Sequence, residues 1–170
     1  GGLFGKGLTN GTWDNHGWLF DSMMSFGKRP AAVGKDKTWH EYKGPGNLPQ
    51  LDMSLTSLLT DLEERGLLDT TLVVAMGEFG RTPKINKTAG RDHYPRAGNV
   101  LLAGAGVKGG VVIGATDPNG AAPATRPWTP VDFGASIYHA LGIDAETTYF
   151  PRLPRPTKIA EGQVIEGLFA

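Results

Sequence analysis

Apolar positions recur at Leu51, Leu55, Leu58, Leu59 and Leu62, the spacing of one face of an amphipathic helix over Pro49–Arg65. Gly66 stands where a left-handed C-cap is expected. Asp69-Thr70 reads as a turn, and Thr71–Met76 as a strand whose unbroken hydrophobicity predicts a sheet covered on both faces. Val100–Ala103 and Val111–Ile113 read as further strands. Thr129 has the chemistry of an N-cap, with Pro130 at the first helical position and Asp132 three residues after the cap. The helix it opens places Phe133, Ile137, Tyr138 and Leu141 on one side and stops at Gly142. Weaker signals are the tail of a strand in residues 1–12 and a short helix over Trp18–Met24. Gly27, Pro30, Gly34 and Gly44-Pro45-Gly46 interrupt any pattern, so 27–47 is expected as a loop excursion. Residues 77–98 and 116–130 read as loops, and the tail from Pro151 as a surface segment. Helix and apolar strand in alternation predict an α/β fold, a layered sheet with flanking helices. Ligands of such sheets bind beyond the carboxyl ends of the strands, so the loop at 77–98, leaving the best strand, is where chemistry is expected.

Composition narrows the function classes. A length of 170 residues suits one domain spanning 1–170. With 17 Lys+Arg against 17 Asp+Glu the chain is neutral, which argues against a general role on nucleic acid. No apolar run approaches the ~18–20 residues of a membrane span. The absence of cysteine removes disulfides, thiol catalysis and Cys-based zinc sites. The 25 glycines and 12 prolines fall between apolar runs and mark a loop-rich globular chain. Gly1-Gly2-Leu3 carries no targeting leader, and the chain is read as a piece of something longer.

Only four histidines are present, and two lie beside an acid in a glycine-flanked loop: Asp14-Asn15-His16 and Asp92-His93. Glu78 follows the apolar strand directly. Carboxylate oxygens with neutral imidazoles suit Zn²⁺, Mn²⁺ or related divalent ions, which polarise phosphoryl or sulfuryl oxygens. Simpler readings exist for each. Asp14 also fits a helix N-cap, Glu78 an ion pair with Arg81, and Asp92-His93 a turn with an exposed imidazole. Arg81, Lys84, Lys87, Arg91 and Arg96 are opposed within 81–96 by Asp92 alone, which would draw an anion or simply keep a loop solvated. Gly104-Ala105-Gly106-Val107-Lys108-Gly109 matches G-x-G-x-x-G but precedes an apparent strand instead of a helix, so it reads as a turn. His139 reads as a helix residue and His40 as part of an aromatic loop anchor. No nucleophile elbow, phosphate loop or His-Glu-x-x-His is present.

Trp-Asp-Asn-His at 13–16, Leu-Pro-Gln-Leu-Asp at 48–52, the run 61–83 and Gly-Arg-Asp-His-Tyr-Pro at 90–95 together resemble the bacterial domain of unknown function 1501 family. That family is similar to the alkaline phosphatase and sulfatase superfamily. The resemblance implies the C-terminal part of an alkaline-phosphatase-like fold and a divalent metal ion (zinc, manganese, calcium or magnesium). It implies metal ligation by Asp14, His16, Glu78, Asp92 and His93, and anion binding by Arg81 and Arg91. Gly77-Glu78-Phe79-Gly80 stands where relatives carry Asp-His-Gly, so a second metal position is expected altered or absent. The nucleophile and a first-strand ligand are expected upstream of Gly1, and export to the periplasm or exterior is implied.

The expected function is a metal-dependent hydrolase of sulfatase or phosphatase type acting on an anionic small-molecule or glycan ester, incomplete in this chain. The alternatives are a non-catalytic anion- or glycan-binding protein on the same scaffold, and a mutase or phosphotransferase.

Overall fold

A computed structural model describes residues 13, 14, 16, 26–33, 38–149 and 157–170; for 26–33, 38–45, 148 and 149 the description is of backbone. The expected strand tail in 1–12 and helix at 18–24 lie outside the described residues. The architecture is mixed α/β, with small antiparallel sheets and two helices. Packing groups residues 1–62 with 77–98 in one compact unit and 63–76 with 99–170 in another.

In the first unit, β1 (Phe26–Val33) and β2 (Thr38–Pro45) form an antiparallel ribbon, registered from Phe26↔Pro45 to Val33↔Thr38. This corrects the loop expected at 27–47. In a two-stranded ribbon both strands are edges, so Pro30 need not supply a ladder donor and the flanking glycines cost little cross-sheet packing.

α1 (Asn47–Glu64) follows, with Pro49 in the first turn, where a missing N–H is harmless. Leu55, Leu59 and Leu62 are half-buried while Leu51 and Leu58 are exposed, so the buried stripe is narrower than the periodicity. Gly66 ends the helix with φ 67° and donates its N–H to the Glu63 carbonyl (2.9 Å).

The expected loop at 77–98 contains a minimal ribbon, β4 (Gly80–Arg81) with β5 (His93–Tyr94), paired Gly80↔Tyr94 and Arg81↔His93. Residues 82–92 are thereby tied into a closed loop. The Thr82 N–H donates to the Asp92 carbonyl (2.9 Å), and the Asn86 N–H to the Gly90 carbonyl (2.8 Å). A Cβ on Gly80 would overlap the Ala97 carbonyl, so only glycine lets β4 lie this close to 97–98.

In the second unit a 3-10 turn (Leu68–Thr70) leads to β3 (Val73–Met76), antiparallel to β6 (Val100–Ala103). Alternate β3 residues are half-buried and exposed, Met76 at 55%, so the expectation of a strand covered on both faces is corrected to one covered face. Val111–Ile113 is not a strand; it pairs with no strand among the described residues and leaves Val112 at 94% exposure. Gly104 (φ 78°), Ala105 (φ 48°) and Gly106 (φ 76°) make the anticipated turn.

α2 (Pro130–Ala140) has the predicted capping box: Thr129 Oγ1 accepts the Asp132 N–H (3.2 Å), and Asp132 Oδ2 accepts the Thr129 N–H (2.9 Å). Of the Phe133–Ile137–Tyr138–Leu141 side the first three residues are half-buried, but the most buried positions lie beside it. Asp132, Ala135 and Ser136 are buried, and Leu141 is 63% exposed. The reason is the C-terminal segment, which docks on that polar face. Gln163 donates its N–H to Asp132 Oδ1 (2.9 Å), Ile165 donates to Ser136 Oγ (2.9 Å), and Leu168 is buried. Among the described residues the tail stays mostly exposed or half-buried, as expected, and contributes Leu168 to the core. A short ribbon, β7 (Thr148–Tyr149) with β8 (Thr157–Lys158), completes the unit.

Candidate metal centre

The β4–β5 register sets up the site. Directly opposed residues of an antiparallel pair project to the same face, so Arg81 and His93 reach one point together. That point is a single carboxylate oxygen, Asp14 Oδ1, which accepts from Arg81 Nη2 at 2.6 Å and lies 2.7 Å from His93 Nε2. His16 Nε2 approaches the same oxygen at 3.2 Å and His93 Nε2 at 3.1 Å. Asp14, His16 and His93 lie close enough to hold a metal ion.

The protonation pattern sharpens the geometry. Asp92 Oδ1 accepts from His16 Nδ1 at 2.8 Å, so the His16 proton is placed there and a lone pair is left on Nε2. The His16 and His93 Nε2 atoms then face each other across 3.1 Å with the Asp14 carboxylate beside them. Three potential donor atoms converge, and in the metal-free network Asp14 Oδ1 is bonded by both His93 Nε2 and Arg81 Nη2. For donors ~2.0–2.1 Å from one ion, neighbouring donor atoms stand about 2.9 Å apart at right angles and about 3.3 Å apart at the tetrahedral angle. Two of the three edges here, 3.1 and 3.2 Å, match; the third, 2.7 Å, is the hydrogen bond that an ion would replace. The Asp–His–ion arrangement with Asp92 behind His16 is the outer-sphere pattern that orients metal-ligating histidines.

Electrostatics agree. The hydrogen bonds from His93 and Arg81, in that order, hold the Asp14 carboxyl down to about 2. Bonds from His16 and then Asn86 lower Asp92 as well. Both carboxylates are about half-exposed, so each is a charged, water-accessible group at neutral pH.

Other sequence candidates fall elsewhere. Glu78 is exposed and outside the donor set. Asp92 backs His16 and does not join the donor triad. Arg91 turns into its own loop and donates to the Thr82 (2.5 Å) and Pro83 (2.8 Å) carbonyls, so that nitrogen holds a loop shut. Arg81, three-quarters buried, bonds Asp14 and the Trp13 carbonyl (3.3 Å). Lys84, Lys87 and Arg96 are exposed.

Phe79 was not anticipated. Its ring lies 4.1 Å from that of His93, tilted by 40°, so a phenyl at the position after Glu78 packs against the His93 imidazole instead of contributing a donor. The departure Gly-Glu-Phe-Gly was the available signal. Asn86 and Thr88 were also missed. Their sequence mark is an Asn-Lys-Thr sequon, which carries no signal for a metal site.

A family model described as "Protein of unknown function (DUF1501)" matches residues 7–169. The chain belongs to the DUF1501 family. No curated protein and no solved structure matches it. Both the Trp13–His16 segment and the 77–98 loop of this DUF1501 chain, which supply all the site residues above, lie inside the matched range. Among the described residues, no helix is long and apolar enough to cross a membrane.

Proposed function

We propose that this DUF1501 chain carries a divalent-metal centre of a hydrolase of sulfatase or phosphatase type, acting on phosphate or sulfate esters, on the C-terminal part of an alkaline-phosphatase-like layered fold. The observation that carries the reading is the convergence of Asp14 Oδ1, His16 Nε2 and His93 Nε2 with Asp92 behind His16. An ion held there supplies Lewis acidity toward an ester oxygen. Asp14, His16 and His93 would hold it. Asp92 keeps the His16 proton on Nδ1, and Phe79 keeps the His93 ring from rotating away. Arg81, already on Asp14, offers fixed positive charge beside the site, and the exposed Lys84, Lys87 and Arg96 bias the loop toward anions.

The test is metal content by elemental analysis of the full-length protein after dialysis, with turnover of aryl phosphate and aryl sulfate. Stoichiometric divalent metal, lost together with turnover in Asp14→Ala and His93→Ala, is expected. A metal-free protein with unaltered turnover in both variants refutes the reading.

A second reading, an anion- or glycan-binding protein without turnover, is favoured by the state of the nearby hydroxyls. Thr82 Oγ1 donates to the Lys84 carbonyl (3.0 Å) and accepts the Asp92 N–H (3.1 Å), while Thr88 Oγ1 serves the His16 carbonyl (2.6 Å). Both threonines organise the loop and neither is poised as a nucleophile. Saturable binding of inorganic phosphate or sulfate with no hydrolysis by the full-length protein would select this reading.

A further inference from the structure

The side chain that ties His16 to the loop is Asn86, 70 residues away in sequence. Its Nδ2 donates to the His16 backbone carbonyl and to Asp92 Oδ1, both at 3.0 Å. That same Asp92 oxygen accepts from His16 Nδ1. The amide's two hydrogens therefore hold His16 by its main chain and, through one carboxylate, by its ring. Its Oδ1 accepts the Thr88 N–H (3.0 Å) and the Gly90 N–H (2.9 Å), which folds the 86–90 turn around it. The Thr88 hydroxyl has one proton for two acceptors, the His16 carbonyl at 2.6 Å and Asn86 Oδ1 at 2.8 Å. Ala89, held at φ 57°, closes the turn by donating its N–H to the Asn86 carbonyl (3.1 Å).

We infer that Asn86, assisted by Thr88, is a positioning residue for the metal centre: it clamps His16 so that Nε2 faces Asp14 and His93. This rests on the metal-centre reading above. The two halves of the amide do separate jobs, the oxygen building the turn and the nitrogen holding His16. Asn86→Asp separates them, because the carboxylate keeps the acceptor oxygen and loses both donors. It also adds a negative charge beside Asp92. Charge alone would tighten cation binding, whereas loss of the clamp loosens it, so the sign of the change is diagnostic.

The test uses the full chain, with Zn²⁺ affinity from competition with a chromophoric chelator and the Co²⁺ visible absorption spectrum as a report of ligand geometry. Circular dichroism monitors folding. Asn86→Asp is expected to bind Zn²⁺ roughly 10- to 100-fold more weakly, the range typical of outer-sphere partners, with an altered Co²⁺ spectrum and wild-type circular dichroism. Thr88→Val, which removes a hydroxyl at nearly constant shape, is expected to weaken Zn²⁺ in the same direction and decides the matter if Asn86→Asp does not fold. Wild-type or tighter affinity with an unchanged Co²⁺ spectrum in the folded variants overturns the positioning role and leaves the metal reading standing. A wild-type chain that binds neither ion overturns both.

Discussion

Arg81 puts a fixed cation on the same carboxylate oxygen that a metal would use, so Arg81→Gln has a signed consequence. Nη2 lies 2.6 Å from Asp14 Oδ1, and an ion would sit on the other side of that oxygen. With an ion ~2.0–2.1 Å from the oxygen, the two positive charges stand about 4–5 Å apart. The carboxylate is 56% exposed, so a water-like dielectric applies. A divalent ion and a guanidinium then repel by about 1.8 kcal/mol, reduced to about 1 kcal/mol by physiological salt. Against this, the Arg81–Asp14 pair, whose carboxylate is open to water, stabilises the carboxylate's position by about 0.2–1 kcal/mol. Repulsion wins. Arg81→Gln is expected to bind Zn²⁺ roughly four- to fifteen-fold more tightly at low ionic strength, the advantage falling to at most about four-fold at physiological salt. Isothermal titration at several salt concentrations, with Zn²⁺ in a buffer that does not complex it, measures this. Weaker binding in the variant at every ionic strength would refute the reasoning and make Arg81 a clamp on Asp14 rather than a competitor.

Three further outcomes are expected. Gly80→Ala, which drives a methyl into the Ala97 carbonyl, should destabilise the chain by about 2 kcal/mol or more in urea unfolding, whereas Gly98→Ala, whose nearest contact is 3.4 Å, should cost under about 1 kcal/mol; equal effects would contradict the close approach of β4. The Asp132 carboxyl is held down to about 2 by N–H donors from Gln163 and Thr129, so the unfolded chain, titrating near 3.8, binds the extra proton between those values. The stability this contributes is complete above about pH 4 and is lost as pH falls through about 2; acid unfolding followed by circular dichroism should be shallower in Asp132→Asn over that window, and superimposable profiles would count against it. Glu78→Ala should leave Zn²⁺ affinity within about two-fold while His93→Ala abolishes measurable binding, because only the second removes a converging donor; a large loss in Glu78→Ala would place that carboxylate in the coordination sphere after all.

What could be read along the chain was whatever depends on neighbours a few residues apart. The α1 periodicity, its glycine stop, the Thr129–Asp132 capping box and the 104–106 turn all follow from backbone repeat and local hydrogen-bond supply, and each is present. Residue chemistry likewise singled out Asp14, His16 and His93, since an acid next to an imidazole in a glycine-flanked loop has few roles. Covering was not legible in the same way. Val111–Ile113 has a strand's composition and no strand partner among the described residues, and α2 buries Asp132 and Ser136, which the C-terminal segment hydrogen-bonds, more deeply than its half-buried apolar side. Nor could sequence assign roles within the site. Asp92 and His93 are adjacent and both meet the His16 ring, yet Asp92 bonds its Nδ1 while His93 faces its Nε2 and the shared Asp14 oxygen. Glu78 lies closer to His93 along the chain than Asp14 does and stays outside. Those assignments depend on contacts 67 to 79 residues apart, and such contacts exist only once the β4–β5 register and the closed 82–92 loop have fixed where each side chain ends.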